Sequence, residues 1–278
     1  MQTVHSHDAR IPALGFGTFE LSSEAARDRV AEALDLGYRH VDTARAYRNE
    51  DGVGEGVRKS SVPRDQVFVT SKVWQDDFRP EDLAKSVRAS LKKTGLDHLD
   101  LMLLHWPNPD VPIADSLGAL EDARREGLIR YYGVSNFTRA LFEEAVAASP
   151  SPLVTNQVEL HPLIDQTRVR EAARRHGTAL TAYCPLAQGR VVDEPELVRI
   201  AAEHHATPAQ VALAWLLADG ATVAIPRSSK PHRIRENHEA LAVRLSDEER
   251  AAIDTLRSRH ERVIDPSFAP DWDPPGSD

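Results

Sequence analysis

The sequence predicts an α/β protein, a closed (β/α)8 TIM barrel that occupies the chain as one domain, residues 1–278. Eight short apolar runs alternate with amphipathic helical stretches, and parallel strands need crossover connections of this kind. The length of 278 residues also suits the fold, because α/β barrels use about 250 residues as a single domain. A doubly wound open sheet is the structural alternative.

The eight apolar runs are the predicted strands of the barrel. Each run is short, contains β-branched or aromatic residues, and is bounded by turn residues. They cover residues 13–17, 39–42, 67–72, 99–105, 131–136, 154–158, 179–183 and 221–226.

Helical periodicity and helix boundaries fill the intervals between these runs. In residues 80–94, Leu83, Val87 and Leu91 recur at a spacing of four, and Gly95 follows as a stop. Capping boxes, which pair a hydroxyl residue with Gln or Glu three positions later, start at Thr207 and Ser246. Two further segments end at a glycine, namely residues 22–36 before Gly37 and residues 165–176 before Gly177.

The two chain ends are predicted to lie outside the barrel strands. Residues 4–6 and 10–13 flank a polar turn and are expected to form a hairpin. Residues 266–278 hold four prolines and are expected to be an irregular segment on the surface.

Composition excludes several classes of partner. The 43 acidic residues outnumber the 34 lysines and arginines, giving a net charge of −9, which argues against nucleic acid or an anionic membrane as the main partner. One cysteine, Cys184, permits no intramolecular disulfide, and no apolar run approaches the roughly 20 residues of a membrane span. We expect a cytoplasmic monomer that acts on a small molecule and has no metal site, since the twelve histidines show no ligand spacing.

Polar residues follow nearly every predicted strand. In (β/α)8 barrels the chemistry lies at the carboxyl ends of the strands, so these side chains are expected to converge on one mouth. In chain order they are Gly17 with Thr18, Asp42, Lys72, His105, Ser135 with Asn136, Gln157, Tyr183 and Arg227.

Three of these positions, together with Tyr47, suggest acid catalysis. A lysine ammonium such as Lys72 would stabilise the phenolate of Tyr47, whose ordinary pKa is about 10, and Asp42 would keep the lysine charged. Such a tyrosine can protonate a carbonyl oxygen, while a neutral His105 donates a second hydrogen bond to it. Each residue alone also fits a structural role as loop tyrosine, solvated lysine, core histidine or helix cap, so the residues by themselves leave both interpretations open.

Longer segments resemble the aldo-keto reductase family. Residues 37–54, GYRHVDTARAYRNEDGVG, resemble the family signature that carries the aspartate and tyrosine of its catalytic tetrad. The resemblance implies a (β/α)8 barrel whose bottom is closed by an N-terminal hairpin, and NAD(P)H-dependent carbonyl reduction. It continues through VTSKVW (69–74), LMLLHWP (101–107), GVSNF (133–137), NQVELHP (156–162), AYCPL (182–186) and IPRSSKPHRIREN (225–237).

Motif positions carry the family's catalytic tetrad onto this chain. The resemblance implies that Tyr47 is the general acid and that Lys72, held by Asp42, lowers its pKa. It implies that His105 positions the carbonyl. Members that reduce carbon–carbon double bonds have glutamate at that position, so histidine indicates carbonyl reduction.

The resemblance also implies a nicotinamide site. Ser135, Asn136 and Gln157 match the positions that hydrogen-bond the carboxamide, and Tyr183 matches the aromatic residue that stacks on the ring. Other implied cofactor positions are Gly17, Thr18, Asp42, Pro185, Leu186, Ile225 and Ser229.

At the other end of the implied cofactor, Arg227, Ser228 and Arg233 match the site of the adenosine 2′-phosphate. Arg227 stands where many members have lysine, but a guanidinium grips phosphate bidentately, so NADPH is the expected cofactor. Lys230 stands where a small residue is usual. The implied adenine contacts are Glu236 and Asn237.

The substrate is expected to be a small carbonyl compound. Phe19, Trp74 and Trp106 join His105 around the predicted mouth, and aromatic walls beside a polar site suit a substrate with an apolar or sugar-like face. The chain looks most like the bacterial branch that includes 2,5-diketo-D-gluconate and methylglyoxal reductases, which makes both compounds candidate substrates. The alternatives are a catalytically silent NADPH-binding sensor or structural protein of the same fold, and an unrelated barrel lyase or isomerase.

Overall fold

A parallel sheet of eight strands forms the centre of the protein in the computed structural model, which describes residues 2–276. The strands are hydrogen-bonded in chain order from the first to the last, without the reversal of a doubly wound sheet. The N-terminal hairpin, β1 (Thr3–Ser6) and β2 (Ala9–Pro12), is confirmed as a separate antiparallel pair. The sheet strands are β3 (Phe16–Gly17), β4 (His40–Asp42), β5 (Phe68–Val73), β6 (Leu99–Leu104), β7 (Ile129–Ser135), β8 (Thr155–Glu159), β9 (Ala179–Tyr183) and β10 (Thr222–Ala224).

The two ends of the sheet meet along a short seam. Leu14 forms a parallel bridge with Ala224, and Gly17 forms another with Arg227. The N–H of Gly15 donates to the carbonyl of Ala224 at 2.8 Å. These contacts are consistent with the predicted (β/α)8 barrel. The predicted strands 13–17 and 221–226 are shorter than expected as ladder strands, since their outer residues pair only through these isolated bridges.

Ten helices occur among residues 2–276. The predicted helix at residues 80–94 is confirmed, with Gly95 at its end in the left-handed conformation (φ 63°), and both predicted capping boxes are present. Of these helices, none is both long and apolar enough to cross a membrane. They are α1 (Ser23–Leu36), α2 (Glu50–Lys59), α3 (Pro80–Thr94), α4 (Ile113–Arg125), α5 (Arg139–Ala148), α6 (Thr167–Arg175), α7 (Pro195–Glu203), α8 (Pro208–Leu217), α9 (Pro231–Glu239) and α10 (Asp247–Thr255).

Helix α2 was not predicted, because its three glycines disfavour helix. The close approach of neighbouring backbones explains why glycine is required at two of these positions. A Cβ on Gly52 would lie 1.9 Å from the carbonyl oxygen of Ser23 in α1, and one on Gly54 would lie 1.8 Å from that of Thr94 in α3. Glycine therefore lets α2 approach both helices closely and holds the segment after β4 against the barrel.

The hairpin lies at the amino ends of the strands. Ser6 Oγ accepts the N–H of Ala179 at the start of β9, and Tyr131 Oη near the start of β7 donates to the carbonyl of Asp8. At the other chain end, residues 260–276 contain no helix or strand, and an irregular segment was predicted for residues 266–276 of this stretch. Residues 277–278 of the predicted irregular segment lie outside the described residues.

Candidate active site

A cavity of about 970 Å³ opens at the carboxyl ends of the strands. It is lined by strand ends and by the loops that follow them, as expected for this fold. Lys72 is the exception among the predicted site residues, since it lies behind the wall. The predicted residues that line the cavity are Gly17, Thr18, Phe19, Asp42, Tyr47, Trp74, His105, Trp106, Ser135, Asn136, Gln157, Tyr183, Pro185, Leu186, Ile225, Arg227, Ser228, Ser229, Arg233, Glu236 and Asn237.

Lys72 is the centre of a buried cluster behind the cavity wall. It lies on β5, beside Asp42 at the end of β4, and the side chains of both are at most 2% exposed. The Lys72 ammonium donates to Asp42 Oδ1 at 2.5 Å and to the carbonyl of Thr43 at 2.9 Å. Its third contact is the Tyr47 hydroxyl at 3.2 Å. The three donors of the ammonium are therefore all directed at oxygen atoms, and two of the partner residues, Asp42 and Tyr47, line the cavity.

Opposing effects act on the pKa values of this cluster. Burial opposes the charge on Lys72, but Asp42 and Tyr47 outweigh it and the pKa of Lys72 is raised. Burial raises the pKa of Tyr47, while the Lys72 charge opposes that rise. The expectation that Lys72 lowers the pKa of Tyr47 is therefore right for the lysine's own effect, whereas the net direction is upward because the phenol is desolvated.

His105 lies next to Tyr47, with their ring centroids 5.7 Å apart. Burial, and then the charge of Lys72, lower the pKa of His105 well below its ordinary value. Its Nδ1 is buried without a hydrogen-bond partner in the described part of the chain. A neutral imidazole is the form that the sequence argument requires here.

The predicted nicotinamide residues are hydrogen-bonded to the tetrad. Gln157 donates from Nε2 to Asp42 Oδ2 at 2.8 Å, so the aspartate is held from two sides. Asn136 donates to the carbonyl of His105 at 2.9 Å and accepts from the Tyr183 hydroxyl at 2.7 Å. These side chains and the tetrad thus form one continuous network, which motif spacing alone did not indicate.

Cations gather at the far end of the cavity, where β10 leads into α9. Arg227 donates to the carbonyl of Phe19 at 2.9 Å and so ties the loop after β3 to the end of the last strand. Lys230 and Arg233 line the cavity, and neither has an acidic partner within 4 Å among residues 2–276. Glu236 accepts a hydrogen bond from Thr207 at 2.8 Å and still reaches the cavity wall.

Several residues at the mouth have a left-handed backbone conformation. Asn136 (φ 65°) and Cys184 (φ 50°) directly follow strands β7 and β9, and such conformations cluster at functional sites. Ala187 and Gln188 continue this pattern in the loop after β9. Cys184 is half-buried and burial raises the pKa of its thiol to about 11, which disfavours the thiolate that a nucleophile requires.

The tail contributes residues to the cavity that sequence reasoning missed. Ile264 and Phe268 line it, and the Phe268 ring packs edge-on against Trp74 and Trp106 at centroid distances of 5.5 and 5.3 Å. The signal available in the sequence was a pair of aromatic residues, Phe268 and Trp272, in an otherwise polar and proline-rich segment.

The arrangement fits a molecule with an amide-bearing ring at one end and phosphate at the other. Ser135, Asn136 and Gln157 offer amide and hydroxyl groups beside the ring of Tyr183. Arg233 and Lys230 offer positive charge at the other end. Among residues 2–276 no three or more His, Cys, Asp or Glu side chains are grouped to hold a metal ion.

Comparison with known proteins gives consistent matches. The model of the aldo/keto reductase family matches residues 13–258, so Ile264 and Phe268 lie beyond the matched segment. Over 266 residues the chain is 41% identical to methylglyoxal reductase DkgB of Escherichia coli O157:H7, covering 95% of this chain and 99% of that protein. It is 40% identical to glyoxal reductase of Bacillus subtilis strain 168, covering 94% of each. A crystal structure with the provisional assignment 2,5-diketo-D-gluconic acid reductase B superposes with a TM-score of 0.95 at 45% identity, covering 99% of this chain and 98% of that one.

Proposed function

The chain belongs to the aldo/keto reductase family, and on that premise we propose that it reduces small aldehydes and ketones to alcohols with NADPH. It is an oxidoreductase that acts on carbonyl compounds. The observation that carries the finer proposal is the Lys72 ammonium, which is fully buried and bonded to both Asp42 and the cavity-facing Tyr47.

Tyr47 acts as the general acid in this proposal. Burial keeps the phenol protonated at neutral pH, since its pKa is raised. As a carbonyl oxygen at the mouth gains negative charge, the phenol donates its proton, and Lys72 at 3.2 Å stabilises the phenolate that remains. NADPH, when bound, supplies the hydride. Asp42 keeps Lys72 charged and fixed throughout the cycle.

His105 positions the carbonyl oxygen. A neutral imidazole can donate one N–H to that oxygen without competing for the proton of Tyr47. The lowered pKa of His105 supports this role, because the imidazolium is disfavoured by burial and by the charge of Lys72.

We propose that the cofactor lies across the mouth, with nicotinamide against Tyr183 and its carboxamide on Ser135, Asn136 and Gln157. Arg227, Ser228 and Arg233 take the 2′-phosphate, and this assignment is supported by Arg233 having no acidic partner within 4 Å among residues 2–276. Glu236 and Asn237 contact adenine. The remaining contacts are Gly17, Thr18, Asp42, Pro185, Leu186, Ile225 and Ser229.

The proposed substrate is a small 2-oxoaldehyde such as methylglyoxal. Relatives named methylglyoxal reductase and glyoxal reductase support this choice, and 2,5-diketo-D-gluconate is the second candidate. The substrate would lie beside Tyr47 and His105, between Phe19, Trp74 and Trp106.

The proposal includes the wider organisation of the protein. In this proposal the described residues, 2–276, belong to one closed (β/α)8 domain, and the protein acts as a cytoplasmic monomer. The silent sensor or structural alternative is not favoured, since curated relatives are reductases. The unrelated lyase or isomerase is wrong, because the family match spans residues 13–258.

The test is oxidation of NADPH by the purified protein, followed by its near-ultraviolet absorbance. Methylglyoxal, glyoxal, 2,5-diketo-D-gluconate and aromatic aldehydes are compared, with NADH measured in parallel. We expect consumption that depends on the carbonyl compound and is faster with NADPH. Cofactor binding without turnover on any carbonyl compound would favour the sensor, and absence of nicotinamide cofactor binding would overturn the proposal.

A further inference from the structure

We propose that Glu159 is a positioning residue that fixes the tail, residues 261–272. The fixed tail in turn holds the aromatic wall, formed by Trp74, Trp106 and Phe268, which receives the substituent of the substrate. This inference rests on the proposed carbonyl reduction. It assigns a purpose to a fully buried acidic residue that the reaction itself does not use.

Glu159, the last residue of β8, anchors the tail through backbone groups. Its side chain is 0% exposed. The N–H of Val263 donates to Oε1 at 2.7 Å, and the N–H of Ile264 donates to Oε2 at 2.8 Å. His161 is the third partner, 2.9 Å from Oε1. The strand end and the tail are therefore joined inside the protein by two hydrogen bonds from backbone N–H groups of the tail to the Glu159 carboxylate.

Every partner of this carboxylate is a donor. Leu163 N–H donates to Nδ1 of His161 at 3.2 Å, which assigns the proton of a neutral ring to Nε2, the nitrogen that faces Glu159. The Arg262 guanidinium approaches Oε2 at 4.0 Å. An amide in place of the carboxylate would direct its NH2 at one of these donors in either orientation.

The tail beyond the anchor is tied down by further contacts. Arg262 lies over the Trp272 ring at 3.7 Å from its centroid, and the Trp272 indole N–H donates to Asp265 at 2.8 Å. The N–H of Glu261 donates to the carbonyl of Leu163 at 2.8 Å. These contacts flank the segment that carries Phe268.

The anchored tail delivers Phe268 to the mouth. Its ring packs against Trp74 and Trp106, and Trp74 in turn packs edge-on against His105 at 5.3 Å. Phe268 itself is 42% exposed, so burial alone does not hold it there. Its position depends on the residues before and after it being held in place. Glu159 holds the preceding residues through the N–H groups of Val263 and Ile264.

The test compares Glu159→Gln with the wild-type protein on two 2-oxoaldehydes that differ only in their substituent. For phenylglyoxal, whose ring would contact the wall, we expect KM to rise about tenfold, the equivalent of one aromatic contact. For methylglyoxal, KM and kcat should change less than about threefold, as should NADPH affinity measured by quenching of tryptophan fluorescence. Trypsin should cut the variant faster near Arg259 and Arg262.

Glu121→Gln is the matched control. Glu121 is another buried glutamate, and it accepts hydrogen bonds from Arg124 and Arg125 of its own helix, α4. Phe268→Ala should reproduce the phenylglyoxal effect without faster cleavage. If Glu159→Gln does not fold, Phe268→Ala and Arg262→Met carry the test of the wall and of the tail contacts.

The outcomes separate the possible failures. Faster cleavage with an unchanged KM for phenylglyoxal would overturn the role of the wall, and unchanged cleavage would overturn the anchor. Equal losses on both substrates and on NADPH affinity would show a merely structural role. If the wild-type protein reduces neither substrate, the proposed function fails, while the trypsin comparison still tests the anchor.

Discussion

Two buried carboxylates lie near opposite ends of the barrel strands, and each is bonded to one or two basic side chains. Asp42 at the carboxyl end of β4 binds Lys72, and Asp100 near the amino end of β6 binds Arg64 at 2.8 Å and Arg130 at 3.1 Å. Both carboxylates are 2% exposed. By their charge and their own burial the two carboxylates are alike.

They differ in what surrounds the cation. Lys72 is sealed from solvent and its remaining contact is the hydroxyl of Tyr47 at the cavity. Arg64 and Arg130 reach solvent, and Arg64 also donates to the carbonyl of His98. Burial of the cation and its contact with a hydroxyl group therefore distinguish the proposed reactive site, and proximity to a cavity alone does not, since Asp100 and Arg130 also line a pocket of about 440 Å³. At the amino end the same chemistry fixes strands and loops.

The largest expected effect is on the cavity-facing member of the first cluster. Tyr47→Phe removes the proposed acid and one contact of Lys72, and should reduce kcat on methylglyoxal by about 10²–10⁴-fold. NADPH affinity should stay within about threefold, because the change removes only a hydroxyl. A Tyr47→Phe variant with near-normal kcat would show that the Asp42–Lys72 cluster, like the Asp100 cluster, does not take part in the reaction.

Asp100→Ala should have the opposite profile. Removing the carboxylate leaves the buried N–H of Val69 without its acceptor and should lower the unfolding free energy by about 1–3 kcal/mol, measured by urea denaturation. The kcat per folded molecule should stay within about twofold, since Asp100 lies at the end of the sheet remote from the cavity. Loss of kcat at unchanged stability would contradict the assignment of this cluster to structure.

The cations at the mouth give a smaller and more selective effect. Arg233→Ala should raise KM for NADPH about tenfold and leave KM for NADH nearly unchanged, because only NADPH carries the 2′-phosphate. Arg235→Ala is the control, since Arg235 is exposed on the same helix and lies outside the cavity lining. Equal changes for both cofactors would disprove the phosphate assignment.

The smallest expected effect concerns pH. Because the pKa of His105 lies well below its ordinary value, kcat/KM should show no His105 inflection as pH falls from about 8 to 6. The unfolded chain takes up this proton first, so the contribution of His105 to stability is present above the ordinary pKa and falls as pH drops below it. An inflection near the ordinary pKa that is absent in His105→Asn would contradict a neutral imidazole.

Much of the fold and the tetrad could be predicted from local patterns. Strand periodicity and strand-end chemistry placed Asp42, Lys72 and His105 at one mouth, because the ends of parallel strands converge. The hydrogen bond from Gln157 to Asp42 was beyond prediction, since it joins strands 115 positions apart in the chain.

The features that sequence patterns missed all depend on contacts between segments that are distant in the sequence. Helix α2 was missed because Gly52 and Gly54 oppose helix locally, and only the backbones of α1 and α3 explain them. Glu159 stood within the quoted segment NQVELHP without an assigned role, because its partners belong to the tail. The resemblance gave no role to Phe268, and local pattern placed the tail only as an irregular segment.

The seam between the first and last strands has a consequence for the folded state. Gly17 and Arg227 face each other across it through a single bridge, and both belong to the proposed cofactor contacts. A dinucleotide bound there would act as a cross-link between the first and the last strand of the sheet. By mass action, apparent stability would rise with the logarithm of cofactor concentration. The protein's resistance to unfolding would then follow the concentration of the dinucleotide, whether oxidised or reduced.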